Sequence, residues 1–259
     1  MPLYSTAADA RQSWYLFPSC SHIFRGKTRT FKTNSPVSSF CSNSLRDSLC
    51  LAHKTIKNEV WGSMLVFWDQ RLAFLATPKT GSTAIEVALE SLSALVVQRP
   101  PVLKHTSVQR FHRFLGPYLE VASGEKFSVA AMMREPRDWL GSWYRYRQRD
   151  DVIDPKKSTA NVSFDEFVNA YCSESPPEFA TVGSQARFLK PRNGQGVDHL
   201  FRYEDIERFV VFLEDRLGCE IILPRLNVSP AGSLELSAAT EAKLINFAAE
   251  DFAVYAQIS

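Results

Sequence analysis

Phe74-Leu-Ala-Thr-Pro-Lys79-Thr-Gly-Ser-Thr83-Ala-Ile85 is the stretch whose reading decides the fold. An apolar run enters a short loop of Pro, Lys, Gly and hydroxyl residues. Helical spacing follows at once, with apolar residues at Ile85, Leu89 and Leu92. The first N–H groups of a helix have no partner inside it, and its dipole is positive at that end. Such a turn therefore offers an anion site. Gly81 lets the backbone curl close to a phosphate, Lys79 adds a point charge, and Thr80, Ser82 and Thr83 can donate hydroxyls. In a Walker A loop the Lys follows the second Gly, whereas here Lys79 precedes Gly81. Taken alone, the same residues also describe a plain glycine turn before a capped helix.

Upstream, Leu65-Val-Phe-Trp68 and Arg71-Leu-Ala-Phe-Leu-Ala-Thr77 flank Asp69-Gln70 and predict a hairpin or two adjacent strands. Downstream, the first helix is expected over Thr83 to Leu95. Helical spacing resumes at Val108, Phe111, Leu115 and Leu119. Lys126 to Met133 reads as a strand buried on both faces, as in a parallel sheet. Pro136 suits the first position of a further helix. Ser163-Phe-Asp-Glu166 is a capping box for a helix to about Cys172. Asp198 to Tyr203 is a third strand, Ile206 to Leu217 a helix closed by Gly218, and Ser237 to Ile258 a final helix. Strands alternating with helices predict an α/β, P-loop-like three-layer fold with a mainly parallel central sheet flanked by helices.

A second strand–turn–helix unit, Ser128-Val-Ala-Ala-Met-Met-Arg134-Glu-Pro-Arg-Asp-Trp-Leu-Gly-Ser142, places Arg134 at the carboxyl end of its strand. Ligands of open α/β sheets gather there, so Arg134 is expected near the Lys79 loop if the two strands are neighbours. With Arg137, Arg145, Arg147 and Arg149 the following helix also reads as a solvated basic helix.

Together the two units resemble the sulfotransferases that use 3′-phosphoadenosine 5′-phosphosulfate (PAPS), nearer to their carbohydrate-type and bacterial branches. Thr77 to Ala84 is similar to that family's loop for the 5′-phosphosulfate, and Arg134 with Ser142 to its 3′-phosphate element. Phe201-Arg-Tyr-Glu-Asp205 and Leu226-Asn-Val-Ser229 also look like the family, so the resemblance runs roughly from Met64 to Tyr255. The C-terminal RKGxxGDWK-like segment of the cytosolic small-molecule enzymes is absent from the sequence, so their phenol and steroid substrates are not implied. The resemblance implies that Lys79 is catalytic, stabilising the bridging oxygen as the sulfuryl group leaves. It also implies that Thr80, Gly81, Ser82, Thr83 and Ala84 hold the 5′-phosphate, and that Arg134 and Ser142 bind the 3′-phosphate. PAPS is then the co-substrate, with no metal, and the acceptor is a hydroxyl on a carbohydrate, lipid or small metabolite.

Transfer to a hydroxyl needs a base near neutrality, and Lys104-His105-Thr106 offers a histidine between the two motifs. His105 is the expected catalytic base. His112 and Glu86 are alternatives, and His105 could instead merely cap the next helix. Two other functions fit the same residues: a nucleotide kinase of P-loop type, and a non-catalytic nucleotide-binding protein.

Composition narrows the classes further. The 259 residues are 45% hydrophobic and 22% charged with a net charge of +2, which gives no global field for nucleic acid. Charge is uneven, with 8 Lys/Arg against 3 Asp/Glu up to Ser63 and 22 against 25 beyond it. Residues 1–63 show no period of 2 or 3.6 and are expected to be a disordered basic leader before a domain over 64–259. Five cysteines, Cys20, Cys41, Cys50, Cys172 and Cys219, lack CxxC or Cys/His metal spacing. With no signal-peptide pattern and no long apolar run, a cytoplasmic protein without a membrane span is expected. Asn161-Val-Ser and Asn227-Val-Ser then read as plain sequence.

Overall fold

Residues 63–150, 152, 154–224 and 234–259 are described by the computed structural model. The predicted leader, apart from Ser63, and the Leu226–Ser229 stretch lie outside the described residues. Strand β1 (Met64–Phe67) pairs antiparallel with β2 (Leu72–Leu75), Leu65 opposite Phe74. This is the hairpin expected around Asp69-Gln70. Its turn closes with Arg71 N–H donating to Trp68 O at 3.2 Å.

Helix α1 (Ser82–Leu89) ends earlier than the spacing predicts. A 3₁₀ turn over Glu90–Leu92 and extended backbone at Ser93 lead into β3 (Leu95–Val97), which antiparallel pairing sets against β1. Three residues are too short for a period of 2 to be visible in the sequence. Helix α2 (Pro101–Lys104) follows, then α3 (Val108–Arg110) and α4 (Gly116–Ser123), joined by a π turn over Phe111–Leu115. Pro117 has no N–H for a regular i−4 bond, so a widened turn just before it avoids the clash.

Strand β4 (Ser128–Met133) runs parallel to β2, and the next helix, α5 (Pro136–Arg147), leaves its end. The Ser163–Glu166 capping box opens α6 (Phe164–Tyr171) as predicted. Short α7 (Gln185–Leu189) precedes β5 (His199–Arg202), parallel to β4, and then α8 (Ile206–Leu217). The single final helix expected from Ser237 is two, α9 (Ala238–Phe247) and α10 (Ala249–Ala256). The chain turns at Ala248, and Asp251 of α10 receives bonds from the start of α7.

Among the described residues the sheet has five strands in the order β3-β1-β2-β4-β5. It is mixed, which corrects the expectation of a mainly parallel sheet. A tight turn between β1 and β2 can join only antiparallel neighbours, and β1 reverses direction against β3 as well. Alternation divides the buried side chains cleanly. Val66, Ala73, Leu75, Val129 and Met133 meet Val108, Phe111, Leu119 and Leu189 on one face. Leu65, Phe67, Phe74, Ala130 and Met132 meet Ile85, Leu89, Phe209 and Leu213 on the other. Helices thus cover both faces of an α/β sheet. No helix of the described residues is long and apolar enough to cross a membrane.

Candidate functional site

The loop from β2 to α1 is held open by its own backbone. Lys79 and Gly81 both take positive φ, 65° and 71°. Thr80 is buried, and its hydroxyl donates to Thr77 O at 2.9 Å, bracing the loop from within. Trp139 of α5 donates its indole N–H to Pro78 O at 2.9 Å. Gly81 is needed twice over. Its left-handed φ suits glycine, and a Cβ there would lie 2.8 Å from Cε2 of Tyr203. Ser82 is buried at the start of α1, followed by Thr83 and by Ala84, whose N–H bonds to Gly81 O at 3.0 Å.

The parallel pairing of β2 with β4 brings Arg134 to this loop, as the adjacency argument requires. Its Nη1 donates to Lys79 O at 3.3 Å, and its Nε donates to Asp138 Oδ2 at 2.6 Å. The guanidinium lies 4.5 Å from the ring centroid of Tyr203. Its main chain is gripped at two points by Gln185, which accepts from Arg134 N and donates to Arg134 O. Gln185 is in turn held at its own N–H by the buried carboxyl of Asp251, 2.8 Å away. Ser142 is buried two turns along α5.

Lys79 reaches over the aromatic rings of α5, its Nζ 4.2 Å from the centroid of Tyr146 and 5.6 Å from that of Trp143. Burial, and then Arg134, Arg149 and Arg145, lower its pKa to about 7. Arg134 reaches the loop itself through Lys79 O, and Arg145 and Arg149 lie near enough to act on the Lys79 ammonium. Two further donors of α5, Nε of Arg145 and Nε1 of Trp143, are buried with no hydrogen-bond partner. An anion bound here would pair such donors and offset the repulsion between the cations.

His105 is tied to the start of the loop. Its Nδ1 lies 2.8 Å from Ala76 O, one residue before Thr77. A carbonyl only accepts, so Nδ1 carries the proton and Nε2 keeps its lone pair. Burial lowers the pKa of His105, against the opposing effect of that bond, and Lys104 lowers it further. His112 sits elsewhere, its Nε2 on Gly196 O at 2.8 Å. Glu86 is buried on α1 and accepts from Ser63 Oγ at 2.6 Å. Burial raises its pKa, and its second oxygen has no partner.

Sequence reasoning gives no role to Asp138, Tyr203, Trp143 or Gln185. Asp138 carries a visible signal, four residues after Arg134 and in the first turn of α5. Tyr203 lies within a quoted stretch, but only the sheet order brings it to Gly81. Gln185 is about fifty residues from Arg134 and carries no signal at all.

Fold and site together define an α/β domain with basic side chains gathered at the carboxyl ends of two parallel strands, β2 and β4. Comparison with known proteins goes no further: no family model matches the chain, and no curated protein matches it.

Proposed function

We propose that the protein is a PAPS-dependent sulfotransferase with a P-loop-like nucleotide site. The observation that carries this reading is that Arg134 donates to Lys79 O while Lys79 and Arg149 both lie against the Tyr146 ring, with His105 bonded to Ala76 O at the start of the same loop. The basic side chains suit a multiply charged phosphate donor, and the histidine suits a base.

In this reading the backbone of Gly81 to Ala84 and the hydroxyls of Ser82 and Thr83 hold the 5′-phosphate at the α1 N-terminus. Thr80 supports them through Thr77 rather than by its own hydroxyl. Arg134 holds the 3′-phosphate, with Ser142 behind it. Nε2 of neutral His105 takes the proton of the acceptor hydroxyl. The acceptor oxygen forms the new bond to sulfur as the bond from sulfur to the phosphate oxygen breaks. That oxygen keeps the electron pair, and the protonated Lys79 stabilises it. Charge grows there only as the bond breaks, so Lys79 acts mainly on the transition state.

The test is calorimetry with adenosine 3′,5′-bisphosphate, AMP and ATP, followed by transfer from labelled PAPS into a pool of hydroxyl acceptors. The bisphosphate should bind at least about tenfold tighter than AMP, since a charge-assisted pair is worth about 1.5–3 kcal/mol. Arg134→Ala should erase that difference. Equal affinities in the wild type would refute the reading. A preference for ATP with magnesium would favour a kinase, and tight bisphosphate binding without transfer would favour a non-catalytic binder.

A further inference from the structure

Asp138 puts a carboxylate inside a group of cations. Its Oδ2 accepts from Arg134 Nε at 2.6 Å, and its Oδ1 lies 3.6 Å from Arg145 Nη2. A negative charge here offsets the repulsion between Arg134 and Arg145 but weakens the attraction for any anion, so in an anion site it comes at a cost. Stabilising the α5 N-terminus is one possible role. That need is already met by Glu135, whose side chain caps the helix by accepting from Asp138 N at 2.7 Å. Glu135 N–H in turn donates to Glu204 Oε1 at 2.8 Å.

Geometry supplies the better reason. A guanidinium has five N–H donors in a rigid plane. Asp138 takes the Nε side, Lys79 O takes one Nη1 hydrogen, and the Tyr203 ring covers a face. Among the described residues, no hydrogen bond to Nη2 is made, so along the Nη1–Nη2 edge Nη2 and the second Nη1 hydrogen are left for a ligand. That edge can grip two phosphate oxygens at once, and its direction is set by the three contacts. Tyr203 is itself fixed, because its ring edge lies against Gly81 with no room for a Cβ between them.

We propose that Asp138 and Tyr203 are positioning residues that aim the Nη edge of Arg134, and so set the preference for a nucleotide bearing a second phosphate. The proposal rests on the reading of Arg134 as the 3′-phosphate ligand. It makes a prediction that a merely structural role does not: the two ligands should respond in opposite senses. Loss of Asp138 misaims Arg134 and weakens the bisphosphate, yet it also removes a repelling charge and strengthens AMP.

The experiment is calorimetry on the full-length chain with adenosine 3′,5′-bisphosphate and AMP, using wild type, Asp138→Ala, Asp138→Asn and Tyr203→Leu. Asp138→Ala should bring the tenfold preference below about twofold, with AMP affinity raised by about two- to threefold, as expected for removing one partly screened charge. Asp138→Asn keeps the shape and covers a failure of the alanine variant to fold; its preference should fall at least about threefold, the charge-assisted bond becoming a neutral one. Tyr203→Leu should lower the preference in the same direction. A preference retained in Asp138→Ala or Asp138→Asn would overturn the proposal, as would a parallel loss for both ligands. A wild type without any preference would overturn the sulfotransferase reading itself, and that result is read before any variant is made.

Discussion

Binding of an anion beside Lys79 should draw a proton from solution. Burial and the three neighbouring arginines hold the free ammonium at a pKa of about 7. A phosphate brought against it reverses both influences, and the bound lysine stays charged. The sign follows directly: the unliganded lysine loses its proton as pH rises through 7, and the liganded one does not. Lys79 should therefore contribute an uptake per bisphosphate bound of about 0.1 proton at pH 6, 0.5 at pH 7 and 0.9 at pH 8. By the same linkage, affinity should fall about fivefold between pH 7 and pH 8. The upper value isolates Lys79. Phosphate, with its second pKa of about 6, is already a dianion at pH 8, and His105, its pKa lowered by burial, is already neutral. The assay is titration calorimetry at pH 8 in buffers of differing ionisation enthalpy, whose slope counts the protons. Uptake below about 0.2 proton in the wild type would refute the reasoning, and so would undiminished uptake in Lys79→Met.

His105→Ala should lower turnover about 10²–10⁴-fold while leaving bisphosphate affinity nearly unchanged, the usual worth of a general base. The wild-type rate should fall on the acid side through a pKa below the ordinary histidine value, and the variant should lose that limb in a pH–rate profile. Wild-type-like turnover would instead pass the role to Glu86. Gly81→Ala forces a Cβ into left-handed backbone at about 1–2 kcal/mol, and also against Tyr203; urea unfolding should show a larger loss than for Gly124→Ala, whose Cβ meets nothing. Asp251→Ala strips acceptors from Ser184, Gln185 N and Ala186 N, and should cost about 2–4 kcal/mol in the same measurement. Because Gln185 then loses its anchor, discrimination between bisphosphate and AMP should weaken in any Asp251 variant that folds.

The local chemistry of this protein is written in short stretches of its sequence. A buried strand, a Pro-Lys-Thr-Gly turn and a helix start are adjacent in the chain, so 74–85 alone specifies a strand–turn–helix unit. The same holds for Arg134 at the end of β4 and for the Ser163–Glu166 box, because backbone conformation over a few residues depends on those residues. Strand order does not. Nothing in Leu95–Val97 marks it as a strand until β1 offers its edge, and that partner makes the sheet mixed. Tertiary structure alone brings Gln185 to the backbone of Arg134, Tyr203 to Gly81, and His105 rather than His112 to the loop. These pairs are tens of residues apart, and their energies exist only after the chain has closed on itself. It is the same closure that packs three arginines around Lys79, turning an ordinary lysine of the sequence into one poised near neutrality.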